Sequence, residues 1–140
     1  MKIYLDMDGT IANLYGVDGW LEMLHNDDPT PYEKAERLVS EETLTALEDM
    51  GYELAIISWL AKHSTKTYDK AVRKAKRNWL KENFPNINFS EIHIVKYGTP
   101  KSRVAKEKNG ILFDDEEKNR TEWKGIAIDA KNLPTFSVSL

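Results

Sequence analysis

Apolar residues along this chain gather into five short runs: IYL at 3–5, LAIIS at 54–58, IHIV at 92–95, GILF at 110–113 and GIAI at 125–128. Each is too short for a helix, and most are apolar without alternation, the pattern of parallel strands buried on both faces. Helical spacing fills the gaps between them. Residues 41–49 put Leu44 and Leu47 on one face and stop before Gly51, a C-terminal cap. Residues 65–83 carry Tyr68, Val72, Ala75 and Trp79 as an inward stripe. Thr99-Pro100 reads as the start of a helix reaching about Lys108, and a last short helix covers 116–123. Strands alternating with helices predict an α/β layered fold with a mostly parallel five-stranded sheet.

One stretch interrupts the alternation. Residues 14–40 stand between the first strand and the helix leading to the second, and Asp27-Asp28-Pro29-Thr30-Pro31 divides them into two short helical pieces. Ligands of open parallel sheets bind beyond the carboxyl ends of the strands, so this insert is expected over that edge as a small lid. No repeat, low-complexity tract or linker divides the chain, and residues 1–140 read as one domain.

Composition narrows the setting more than the chemistry. The chain has 140 residues, of which 41% are apolar, enough for a core without staples. It contains no cysteine, which excludes disulfides, thiolate metal sites and a thiol nucleophile, and suits a reducing cytoplasm. A net charge of −3 argues against wholesale coating of nucleic acid. Asp6 follows only three apolar residues, so no signal peptide is expected, and no apolar run approaches the roughly 18 residues of a membrane span.

The chemistry gathers where the strands end. The first run ends in Asp6-Met7-Asp8-Gly9-Thr10, the second in Ser58 and the fourth in Asp114-Asp115, while Lys101 opens the helix that enters the fourth. In a parallel sheet these ends meet at one edge. Carboxylates so crowded repel one another unless a cation or a proton relieves them. Oxygen donors without cysteine favour Mg²⁺ over zinc. A hydroxyl, an ammonium and the N–H groups of a glycine turn beside that metal make a site for a tetrahedral dianion such as phosphate.

The order DMDGT, a strand ending in Ser, a helix-starting Lys and then ILFDD resembles the haloacid-dehalogenase-like (HAD) phosphohydrolase superfamily, with its Rossmann-like three-layer sandwich. The four motifs span residues 6–115. The resemblance implies that Asp6 is the nucleophile of an aspartyl-phosphate intermediate and Asp8 its acid and then its base. It implies Mg²⁺ between Asp6, the Asp8 carbonyl and Asp114, with Asp115 as a further carboxylate on the metal side. Ser58, Lys101 and the N–H groups around Met7–Gly9 would hold the phosphoryl oxygens. Lys96 rivals Lys101, and Asp115 could instead cap the helix that follows. An aspartate at position 8 points to a phosphatase or phosphomutase, because the dehalogenases lack that carboxylate and the transport ATPases carry threonine.

The small insert and the Ser-Trp-Leu at 58–60 resemble the 5'-nucleotidase and deoxyribonucleotidase branch. A nucleotide is therefore the expected substrate, with Asn13, Tyr15, Trp20 and Trp59 as candidates to meet its sugar or base. Trp20 on its own would more simply be packing. A site this open admits a bulky substrate or cover by a neighbouring subunit, as in a homo-oligomer.

Residues 62–81 also carry eight basic residues (Lys62, Lys66, Lys70, Arg73, Lys74, Lys76, Arg77 and Lys81) against the single acid Asp69. A solvated face is the ordinary reading. The alternative is a patch steering a nucleic-acid end, as the phosphatase half of polynucleotide kinase-phosphatase would require. A third reading is a receiver-like switch phosphorylated on Asp6 without turnover, which Asp8 opposes. His25, His63 and His93 lack metal-ligand spacing.

Overall fold

A computed structural model of the protein describes residues 1–139. Its centre is a five-stranded parallel sheet. The elements run β1 (Lys2–Leu5), β2 (Ala12–Asn13), α1 (Trp20–His25), α2 (Thr30–Lys34), β3 (Glu36–Arg37), α3 (Glu41–Asp49) and β4 (Glu53–Trp59). They continue with α4 (Lys66–Asn83), β5 (Glu91–Val95), α5 (Lys101–Val104), β6 (Ile111–Asp114), α6 (Glu117–Glu122), β7 (Ile126–Asp129) and α7 (Leu133–Ser139). The sheet order is β5-β4-β1-β6-β7. The chain therefore works outward from β1 to one edge and then crosses to its other side. That reversal opens a crevice at the carboxyl end of β1, the usual place for a ligand in open parallel sheets.

All five apolar runs became strands of this sheet. Alternate residues cover its two faces. Ile3, Leu5, Leu54, Ile56, Ile111 and Phe113 pack with Leu44 and Leu47 of α3, Trp79 and Leu80 of α4, and Leu133 of α7. Tyr4, Ala55, Ile57 and Leu112 face the other way, onto Ala105 and Trp123. Burying each large apolar side chain contributes roughly 1.5–3 kcal/mol relative to leaving it in water. Helix layers on both faces make a Rossmann-like three-layer sandwich.

The helix starts follow capping chemistry. Ser40 accepts from the Thr43 N–H at 3.2 Å, and Thr65 accepts from Tyr68 N–H at 3.1 Å. Gly51, with φ of +97°, follows α3 in the left-handed conformation that glycine tolerates. Helix α5 departs from expectation. It ends at Val104 instead of near Lys108, because Ala105 turns extended to join Tyr4 and Trp123 in the core. The Lys108 ammonium then takes up the freed carbonyls of Ser102 and Ala105, at 2.8 and 3.2 Å.

The insert holds the two expected helical pieces, α1 and α2. It also has a stem that periodicity did not reveal, the antiparallel pair β2–β3 at its base. Helix α2 packs on α4, where Tyr32 joins Tyr68, Val72 and Ala75. Trp79 fastens the stem by donating its indole N–H to the Ala35 carbonyl at 2.8 Å. Among the described residues no helix is long and apolar enough to cross a membrane.

Candidate active site

Directly after β1 the backbone folds into a tight loop around one oxygen, the Met7 carbonyl, which accepts from the N–H groups of Thr10, Ile11 and Ala12 at 3.0 Å each. Gly9 makes the turn possible. Its φ is +86°, and a Cβ there would overlap the Asp115 carboxylate. Its N–H donates to the Ala12 carbonyl at 2.9 Å, so the expected donation from Gly9 to a bound anion is taken up inside the loop. Gly9 serves by its shape, bringing the Asp6 loop and Asp115 together.

That loop fixes Asp6 in place. One carboxylate oxygen accepts from the Lys101 ammonium at 2.9 Å and the other from the Thr10 hydroxyl at 3.2 Å. Lys101 also donates to Asp114 Oδ2 at 2.6 Å. Asp114, fully buried at the end of β6, further accepts from Asn119 Nδ2 at 3.1 Å and the Glu116 N–H at 3.0 Å. Carboxylate oxygens of Asp6, Asp114 and Asp115 lie within 4.8 Å of one another. Of the two lysines, Lys101 is buried in this cluster and Lys96 is exposed beyond β5. Asp115 faces the cluster, and the start of α6 is served by Asp114 instead.

Asp8 and Ser58 form a second group beside the first. Lys101 bonds to Asp6 and Asp114, whereas Asp8 and Ser58 both accept from Lys76 of α4, at 2.9 and 2.7 Å. Lys76 was counted among the basic face of that helix, yet it is only 1% exposed. The signal was present in the sequence: position 76 lies four residues after Val72 and three before Trp79, on the inward stripe. Of the other helix bases, Arg73 and Arg77 donate to the Ile94 and Ile92 carbonyls of the edge strand β5, at 3.2 and 3.4 Å. Thr10, part of the DMDGT run, orients Asp6, and Asn119, which orients Asp114, carried no signal beyond its type.

The electrostatics show a shortage of positive charge. Four carboxylates (Asp6, Asp8, Asp114 and Asp115) share two ammonium groups. Burial and the neighbouring Asp6 charge push Asp115 up to about 8. Burial and Asp6 also raise Asp114, against the pull of Lys101. Burial lowers the proton affinity of Lys101, but Asp6 and Asp114 reverse this and hold it above the ordinary lysine value. A divalent cation would supply the missing charge. The clustered donors are carboxylate oxygens alone, which fits a hard cation such as Mg²⁺.

The site opens into a cleft of about 560 Å³ that reaches from Asp6, Asp8 and Lys101 to the insert. Two aromatic pairs line it. Tyr15 and Trp20 meet edge to face at 5.0 Å on the insert side, and Trp59 and Tyr97 lie 4.9 Å apart on the sheet side. Trp59 also donates to the Thr99 carbonyl at 2.8 Å, which ties the end of β4 to the loop presenting Lys101. Asn13 lies against Gly16 instead of contributing to these walls. His25 and His63 line the cleft, whereas His93 is bound to Glu91. No known family model and no curated protein sequence matches the chain.

Proposed function

We propose that the protein is a Mg²⁺-dependent phosphomonoester hydrolase of the HAD type, acting through an aspartyl-phosphate on Asp6. The observation that carries this reading is the Asp6 carboxylate. It stands at the end of the central strand, joined through Lys101 to Asp114, with Asp8 two residues on and the cleft in front. Asp6, Asp114 and Asp115, with the Asp8 carbonyl, would hold the metal. When bound, Mg²⁺ supplies charge that offsets the carboxylates and the phosphoryl oxygens.

A carboxylate oxygen of Asp6 attacks phosphorus, and the bond from phosphorus to the leaving oxygen breaks. Asp8 delivers its proton to that oxygen. A water then attacks the aspartyl-phosphate while Asp8 takes the water's proton; the bond between Asp6 and phosphorus breaks and inorganic phosphate leaves. Lys101 and Ser58 bind the phosphoryl oxygens, and Thr10 keeps the Asp6 carboxylate in its rotamer. A carboxylate placed to activate water shortens the life of the intermediate, which disfavours a phosphorylated switch.

The aromatic pairs support a nucleotide as substrate, since aromatic faces stack on bases. The test is a panel of nucleoside monophosphates and 3'-phosphorylated oligonucleotides, assayed for phosphate release with Mg²⁺. Release from the monophosphates is expected. Cleavage of the oligonucleotides alone would transfer the reading to a polynucleotide end phosphatase.

A further inference from the structure

Lys76 sits behind the site and is absent from the cleft wall. Its ammonium donates to Ser58 Oγ at 2.7 Å, the Trp59 carbonyl at 2.8 Å and Asp8 Oδ2 at 2.9 Å. It also lies 5.0 Å from the ring centroid of Tyr32, which belongs to α2 of the insert. An ammonium has three protons and no lone pair, so these three contacts use every direction it has. Burying such a charge is costly unless it is paired and hydrogen-bonded, and an apolar side chain of equal length would fill the same space. Packing alone therefore does not account for a lysine at this position.

The direction of each hydrogen bond does. Ser58 Oγ accepts from Lys76, so the hydroxyl's own proton must go to another acceptor. Asp8 is gripped through one oxygen, Oδ2, while its side chain lines the cleft. Ser58 lies on β4 and Asp8 in the loop after β1, and Lys76 bonds to both.

We propose that Lys76 is a positioning residue: it turns Ser58 into a donor toward the phosphoryl group and holds the Asp8 carboxylate in register for proton transfer. This rests on the phosphatase reading above. Lys76 acts through Asp8 and Ser58 and touches no substrate. Tyr32 places it under the insert, so the lid's anchored helix covers the same ammonium that orients the acid/base group.

The test is a double-variant cycle with Lys76→Met and Asp8→Asn, assayed with p-nitrophenyl phosphate and Mg²⁺. Lys76→Met alone is expected to lower kcat by about 100-fold, the scale of a lost acid/base contribution. KM should move by less than about threefold, because uniform substrate binding is left in place. In the Asp8→Asn background the same change should cost well under 100-fold, about tenfold or less, since the part exerted through Asp8 is already gone and only the part exerted through Ser58 remains. A folded Lys76→Met protein that keeps its kcat, or a full loss repeated on top of Asp8→Asn, would overturn the proposal.

If Lys76→Met fails to fold, the side-chain ammonium resonance of Lys76 in otherwise intact protein provides the reading. It should exchange slowly and shift in both Asp8→Asn and Ser58→Ala. Exchange as fast as that of surface lysines would sink the idea. Wild-type protein that hydrolyses no phosphomonoester would count against the functional reading itself, whereas an active wild type with an unaffected Lys76→Met counts against Lys76 alone.

Discussion

Buried acids stand at both ends of the parallel sheet, and their surroundings are opposite. At the amino end, Glu91 at the start of β5 is one carboxylate among many donors. Lys2 Nζ, Tyr4 Oη, the His93 ring and the Lys106 N–H reach it at 2.5, 2.7, 2.9 and 3.2 Å. Tyr4, Ala55 and Glu91 lie in one row across three strands, and the small Ala55 lets the outer two meet. Burial alone would raise the Glu91 pKa, but hydrogen bonds from Lys2, His93 and Tyr4 bring it down to about 2. At the carboxyl end, four carboxylates share two lysines and the Asp114 and Asp115 values rise. A charge buried for structure is surrounded by donors. The surplus at the other end is a cost to the fold, and it marks the end where a cation and an anionic substrate would be received.

Substitution should separate the two ends clearly. Asp6→Asn is expected to reduce kcat by about 10⁴-fold or more, in line with loss of a nucleophile. Its melting temperature should stay within a few degrees of wild type, because one member of a repelling cluster has gone. Glu91→Ala should do the reverse. Leaving Lys2 and Tyr4 without their acceptor is expected to cost about 2–3 kcal/mol, or roughly 6–12 °C in melting temperature, with kcat within about twofold. Equal stability losses at the two ends would erase the contrast.

A cation should stabilise only the carboxyl end. Mg²⁺ at 100 times its dissociation constant is expected to add about 2.7 kcal/mol, seen as a rise in melting temperature. That rise should disappear in Asp114→Asn and persist in Glu91→Ala.

Acid sharpens the contrast more gently. The folded Glu91 value of about 2 lies below the ordinary 4.5, so its stabilisation is complete above about pH 4.5 and is lost as pH falls toward 2. The stability gap between wild type and Glu91→Gln, read from urea midpoints, should therefore narrow between pH 5 and 3. A gap that widens with acid would contradict the assigned sign.

Legibility in the sequence followed the same division. The five strands were readable because each is a continuous apolar run, and β1 with Asp6 and Asp8 set the site's position. The two-residue strands β2 and β3 were not, since two residues have no period. Lys76 was hidden by its own charge: a run of lysines reads as solvated face, and only its spacing from Val72 and Trp79 marks it as inward. Lys101 and Asp114 were readable through motif order, whereas Asn119 and Thr10 act through contacts that only the folded chain creates. The Glu91 network was invisible for the same reason, since Lys2 and Glu91 lie 89 residues apart.

The central claim is that Asp6 carries the phosphoryl group. Asp8→Asn protein mixed with p-nitrophenyl phosphate and Mg²⁺, quenched in acid and digested, tests it by mass spectrometry. The account predicts one added phosphoryl group on the peptide containing Asp6, absent when Asp6→Asn is combined with it. Phosphate release by wild type with no modified peptide in the Asp8→Asn protein, or a phosphoryl group found on another residue, would contradict it.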